Sequence, residues 1–119
     1  MEKPHRKLEV WQLAMDVTVD LYAVCRKFPD DEKYGLVSQI RRSAVSIPSN
    51  IAEGAARNSA TDFARFLTIA IASLSELDTQ LEIALRLGYT DETTFQAIDN
   101  KLASISRMLI ALRKRILTK

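Results

Sequence analysis

The sequence predicts an all-α protein, an antiparallel up-down-up-down four-helix bundle with a proline-kinked second helix. Three observations carry that expectation. Apolar residues recur at steps of three and four through four long segments, the pattern of helices with one buried stripe. The chain holds only three Gly and three Pro, so those residues should mark the breaks between long elements. No stretch alternates apolar and polar residues for long enough to make a strand. With 119 residues, 47% hydrophobic and 27% charged, the chain reads as a single domain over residues 1–119 that holds a core without staples. Residues 1–7 are expected to be mobile.

The first helix is expected from about Leu8 to Phe28. Trp11, Ala14, Met15, Thr18, Leu21, Tyr22, Cys25 and Phe28 form a stripe, with Val10, Leu13, Val17 and Val24 beside it. At 100° per residue the two sets merge into an apolar arc of roughly 200°, wider than the ~100° one core needs. So wide an arc points to a second contact, such as another subunit. Pro29 ends the helix, because the residue before a proline is driven out of helical geometry.

The second helix is expected from Asp31 or Glu32 to about Gly54, with Val37, Ile40, Ala44, Ile47 and Ile51 inward. Pro48 interrupts the backbone bonding, since it lacks an N–H and crowds the carbonyl of Ala44, at a cost of ~3 kcal/mol. A kink near Ala44–Pro48 follows, or a break into two short helices. Ser46, Ser49 and Asn50 are placed to bond the freed groups, and Gly54 relaxes the chain before the turn.

The third helix has Asn58 or Ser59 as N-cap and Asp62 in its first turn. Phe63, Leu67, Ala70, Leu74, Leu77, Leu81 and Ala84 make a heptad-like seam, and Gly88 closes it. The fourth starts at Thr90 or Asp91. Phe95, Ile98, Leu102, Ile105, Leu109, Leu112 and Ile116 repeat the same steps. Short links force neighbours to run antiparallel.

The chemistry of common enzymes is missing. His5 is the only histidine and Cys25 the only thiol, which leaves no His/Cys metal set and no nucleophile–base pair. No Glu-x-x-His pair and no Gly-rich phosphate loop occurs. A non-catalytic protein without cofactor or metal is expected. Cys25 is read as a small apolar residue, although Arg26 and Lys27 beside it would lower its pKa. No leader sequence and no ~18-residue apolar run is present, so a cytoplasmic protein without membrane contact is expected.

Net charge is only +2, but its distribution is uneven. An up-down bundle gathers Lys3, Arg6, Lys7, Arg57, Arg113, Lys114, Arg115 and Lys119 at one pole, against Glu2, Glu9 and Glu53. No acid follows Asp99. The opposite pole holds Asp30, Asp31, Glu32, Glu82, Asp91 and Glu92. Basic residues at the end of a helix also complement its dipole, so the cluster has a structural reading beside a phosphate-binding one. Arg42, Arg57, Arg113, Lys114 and Arg115 are the candidate nucleic-acid contacts, for a readout of backbone or shape. Arg41 lies near the edge of the apolar stripe and is expected to pair with Asp78 or Glu76, within the fold or across a subunit contact. The same register sets Glu53 near Arg65. Tyr22, Tyr34 and Tyr89 are read as packing residues.

Ser46-Ile47-Pro48-Ser49-Asn50-Ile51-Ala52-Glu53-Gly54 resembles the signature of the 23S rRNA intervening-sequence proteins, also called four-helix bundle proteins. Leu8-x-x-Trp11, Phe28-Pro29, Tyr34-Gly35-Leu36, Gln39-x-Arg41-Arg42, Phe66-Leu67, Leu77-x-x-Gln80-Leu81 and Leu85-x-Leu87-Gly88-Tyr89 fit the same family in order along nearly the whole chain. One departure is Ala70-Ile71-Ala72-Ser73, where the family often has Ala-Arg-Gly-Ser; a surface that depends on that Arg and Gly would be altered here. Arg41, Pro48, Asn50, Glu53 and Gly54 are carried as motif residues. The resemblance implies a bacterial four-helix bundle, commonly a homopentamer, encoded in inserts of 23S rRNA genes or elsewhere. Distant relatives are accessory proteins of diversity-generating retroelements, which bind a reverse transcriptase and nucleic acid. The expected function is an oligomeric bundle that binds structured RNA or a nucleic-acid-processing protein. The alternative is a protein-interaction scaffold with no nucleic-acid role.

Overall fold

Four helices account for most of the computed structural model, which describes residues 3–118. They are α1 (Glu9–Cys25), α2 (Leu36–Ala55), α3 (Ala60–Arg86) and α4 (Glu92–Leu117), with 3-10 turns at Pro4–Lys7 and Asp30–Glu32. No strand occurs among the described residues. Glu2 and Lys119, both assigned above to the basic pole, lie outside them.

The seams of α3 and α4 fall where their spacing puts them. Leu67, Ala70, Leu74, Leu77, Leu81 and Ala84 are buried, as are Ile98, Leu102, Ile105, Leu109 and Leu112. Phe63, Phe95 and Ile116, at the seam ends, are half-buried and pack on the core. In α1 the buried line is Val10, Ala14, Val17, Leu21 and Cys25. The face is thus rotated from the expected stripe: Trp11, Thr18 and Tyr22 are half-buried and Met15 is exposed. Each helix packs on two neighbours, α1 on α2 and α4, and α3 on α2 and α4. The α2–α3 approach is the most intimate and α1–α4 the loosest. The result measures 46 × 23 × 21 Å.

Helix ends follow local chemistry. Ser59 Oγ accepts from the Asp62 N–H at 3.1 Å, and Asp91 Oδ1 accepts from the Thr94 N–H at 2.7 Å, each satisfying a first-turn donor. After Arg86 the chain closes in a Schellman motif: Tyr89 N–H donates to Ala84 O, Gly88 N–H donates to Leu85 O, and Gly88 has φ 77°. The start of α2 differs from expectation. Asp30–Glu32 form only a 3-10 turn, and the α-helix begins at Leu36. Glu32 Oε1 accepts from the Leu36 N–H at 3.1 Å, and a Cβ on Gly35 would sit 2.8 Å from that same oxygen. Glycine leaves room for the capping carboxylate. Glu32 also accepts from Tyr89 Oη at 2.9 Å, tying the α1–α2 link to the α3–α4 link.

Pro48 does not break α2, which is helical from Leu36 through Ala55. The carbonyl left without an intrahelical donor is that of Ala44. The neighbouring Ser46, Ser49 and Asn50 do not serve it. The donor that reaches it is Thr18 Oγ1 on α1, whose single O–H is shared between Ala14 O at 2.8 Å and Ala44 O at 3.3 Å. Asn50 Nδ2 instead donates to Ser46 O at 2.8 Å and Ser46 Oγ at 2.9 Å, and Ser46 Oγ meets Ser73 Oγ at 2.7 Å on α3. Gly54 lies inside the helix. A Cβ there would meet Phe66 Cβ at 2.8 Å and the Phe63 carbonyl oxygen at 3.2 Å, so its role is close helix approach and not turn flexibility.

Candidate nucleic-acid interface

The end of α2 and the start of α3 bring two guanidinium groups onto one ring, and a third, from α4, bonds α3 nearby in sequence. Arg57 follows α2 and lies 4.8 Å from the Phe66 ring centroid, while Arg65 on α3 lies 4.7 Å from the same centroid. One turn along α3, Thr68 Oγ1 accepts from an Arg113 guanidinium N–H at 3.1 Å. Each of the first two has a carboxylate brace on its own side of the link: Arg57–Glu53 at 3.0 Å and Arg65–Asp62 at 3.6 Å. These are exposed pairs of small energetic weight, but they hold two long side chains against an aromatic plane. A guanidinium over a ring points its N–H groups outward at the edges, and those not taken by the brace can meet phosphate oxygens.

The five candidate residues do not make one patch. Arg57 shares the Phe66 ring with Arg65, whereas Arg113 is held by Thr68. Lys114 is exposed on the last turns of α4. Arg115 lines a cleft of about 210 Å³ with Leu8, Val10 and Met108, on the α1 side. Arg42 is exposed fifteen residues before Arg57, roughly 22 Å along the helix axis, and stands apart. Arg65 was missed as a contact, because the register assigned it to Glu53; Glu53 pairs with Arg57 instead. The usable signal was an Arg next to an aromatic at the start of α3, across a short link from another Arg.

Arg41 does not take the within-fold partner that was one of its two expected arrangements. It makes no ion pair with Asp78 or Glu76 within the chain. Its guanidinium lies 4.6 Å from the Tyr22 ring on α1, and its Nε is shielded from solvent without a hydrogen-bond partner. The Cys25 thiol is nearby. Burial pushes its pKa up, against the opposing pull of Arg41, so the lowering expected from its basic neighbours is outweighed. Tyr89 packs on Phe28 with centroids 5.3 Å apart, whereas Tyr34 is 88% exposed and does not pack. Ile71 is half-buried against the core and Ala72 is exposed. No group of three metal-ligating side chains occurs among the described residues, and no helix is long and apolar enough to cross a membrane.

A comparison with curated proteins returns no match. Among solved structures, the chain is similar to a protein of unknown function from the S23 ribosomal protein family of Bacteroides thetaiotaomicron VPI-5482. The TM-score is 0.82 at 27% identity, over 88% of this chain and 98% of that one. The family model described as 23S rRNA-intervening sequence protein matches residues 6–111, nearly the whole of the sequence. That match runs through all four helices and the Ser46–Gly54 stretch, and the chain therefore belongs to the 23S rRNA-intervening sequence protein family.

Proposed function

We propose that this protein is a non-catalytic, oligomeric four-helix bundle that binds structured RNA, in an rRNA-linked role, through clustered arginine and lysine side chains. The observation that carries the reading is the pairing of Arg57 and Arg65 on the Phe66 ring, with Arg113 of α4 bonded to Thr68 on the same helix α3. It adjoins a last helix whose final turns bear Arg113, Lys114 and Arg115, with no acid after Asp99. Such a surface contacts phosphates and reads shape rather than base sequence. The family description supports the link to rRNA. The reading takes the helices as running up-down-up-down with α2 bent near Ala44–Pro48. The cross-helix contacts Thr18–Ala44, Ser46–Ser73, Thr68–Arg113 and Asp20–Lys101 support that course, and the diverted Ala44 carbonyl supports the bend. A pentamer is the assembly the family resemblance implies. A buried unpaired thiol at Cys25 suits a reducing bacterial cytoplasm.

The test is the affinity for a structured rRNA fragment, read by fluorescence anisotropy across roughly 50–200 mM salt. The logarithm of the binding constant should fall linearly with the logarithm of salt, by ~0.7–0.9 per phosphate neutralised. Replacing Arg113, Lys114 and Arg115 together by Gln should weaken binding to all sequences alike. A flat salt profile ends the proposal.

A second reading, a protein-interaction scaffold, draws on the groove between α1 and α2. Trp11, Met15, Val45, Pro48 and Ala52 line about 320 Å³ of it, with Met15 39% and Val45 41% exposed. Purification from the host should then yield a protein partner that survives nuclease treatment; recovery of RNA alone counts against it.

A further inference from the structure

Two charged features on opposite faces lack their counterparts. On the α1–α2 face, a cavity of about 170 Å³ is lined by Arg26, Lys33 and Arg41, with Cys25 and a single acid, Asp30. Arg41 forms no ion pair among the described residues, and its shielded Nε is unpartnered. A partly buried guanidinium in that condition is costly until an anion joins it. On the α3–α4 face, Asp78 is exposed and also forms no ion pair among the described residues. It faces Asp99 and Glu82, of which Glu82 has its own cation in Arg86 at 3.0 Å. Partial burial, then the charge and hydrogen bond of Asp99, push the Asp78 carboxyl up in pKa, as expected of an acid crowded by acids.

The two features also lie at one height. Ser46 on α2 touches Ser73 on α3, and Gly54 approaches Phe63 and Phe66. Five residues back along α2 from Ser46 is Arg41, and five forward along α3 from Ser73 is Asp78. Each step covers about 7.5 Å in the same direction along the bundle.

We infer that the Arg41 cavity of one protomer receives the Asp78 carboxylate of a second copy of this chain, joining copies head to tail. This rests on the oligomeric reading and helix course proposed above. The donor and acceptor faces lie on opposite sides of the bundle, so one contact uses different surfaces on the two partners. Such heterologous contacts repeat into rings or filaments. Equal heights keep successive copies level, without the axial rise of a helical filament. The cavity holds a carboxylate with its methylene, and three cations against one acid supply the complementary field.

The experiment is light scattering with size-exclusion chromatography at micromolar concentration, with circular dichroism as the check on folding. The variants are Asp78→Lys, Arg41→Gln, and the double exchange Arg41→Glu with Asp78→Lys. Wild type should be a multimer. Asp78→Lys changes an exposed residue, so it should stay helical while its mass falls toward the 13.4 kDa monomer. A weakening of more than about 30-fold in the association constant is expected. Arg41→Gln should do the same. The double exchange should reassemble, which an intrachain role would not produce, since the two residues do not meet within one chain. A wild-type multimer whose mass is unchanged by Asp78→Lys or by Arg41→Gln overturns the interface and leaves the oligomeric reading intact. So does a folded double variant that stays dissociated. A wild-type monomer overturns the interface and the oligomeric reading together.

Discussion

Replacing Gly54 by alanine should destabilise the protein, although alanine is the better helix former. Within an exposed helix the exchange gains about 0.5–1 kcal/mol. Here the added methyl would sit 2.8 Å from Phe66 Cβ and 3.2 Å from the Phe63 carbonyl oxygen. Neither atom is the end of a flexible side chain, so no change of rotamer removes the conflict. The helices must separate by several tenths of an ångström, and overpacking of this kind costs about 1–3 kcal/mol. The net loss should be about 1–2 kcal/mol. With a urea m-value of about 2 kcal/mol/M, the midpoint falls by roughly 0.5–1 M. Far-ultraviolet circular dichroism in urea, at matched protein concentration, measures it. Gly88 is the control. Nothing lies within 4 Å of a Cβ there, and its constraint is φ 77°. Asparagine, which tolerates that conformation, should be milder than alanine at 88 and harsher than alanine at 54. A midpoint unchanged or raised in Gly54→Ala, or the same ranking of substitutions at both glycines, would refute the close-approach argument.

Other predictions concern single bonds and charges. Thr18→Val removes the donor to Ala44 O and should cost about 1–3 kcal/mol. In a Pro48→Ala background the restored N–H serves that carbonyl, so a double-mutant cycle in urea should show the penalty shrinking by about 1 kcal/mol; additivity would reject the link. Asp91 has its pKa lowered by the hydrogen bond from the Thr94 backbone N–H. Its stabilisation is therefore present above the ordinary value of 3.8 and is lost as pH falls through the lower folded value. Thermal melts of Asp91→Ala should fall below wild type at pH 7 and converge with it in strong acid. Arg42→Gln should leave the salt slope of RNA binding unchanged while Arg65→Gln reduces it by about 0.7–0.9; the reverse would move the contact surface to the middle of α2.

The long helices and their order were legible because α3 and α4 carry one apolar stripe each, opened by a capping Ser59 or Asp91 and, for α3, closed by Gly88. The buried face of α1 was not. Val10, Trp11, Leu13, Ala14, Met15, Val17 and Thr18 surround just over half the helix, and only packing against α2 and α4 selects Val10–Ala14–Val17–Leu21. The start of α2 was misread because acids at 30–32 look like a first turn, whereas Glu32 caps a helix that begins four residues later. Arg41 was set beside Leu74, within reach of Glu76 or Asp78, but its guanidinium turns toward Tyr22 on α1. Sequence register fixes position along an axis far better than rotation about it. The same weakness hid Arg65 and grouped Arg42 with distant cations. Gly54 looked like a turn residue because an absent side chain carries no trace of what presses on it.

The serine-to-serine contact between α2 and α3 has a consequence for how the molecule comes apart. Ser46 and Ser73 lock these two helices with a polar bond that Asn50 extends to Ser46, in the most extensive helix pair of the bundle. The α1–α4 seam is looser and carries the exposed bridge Asp20–Lys101. Thermal fluctuations will therefore part α1 from α4 first, like a book opened along its fore-edge, with α2 and α3 as the spine. Amide protons on the spine should be the last to exchange with solvent.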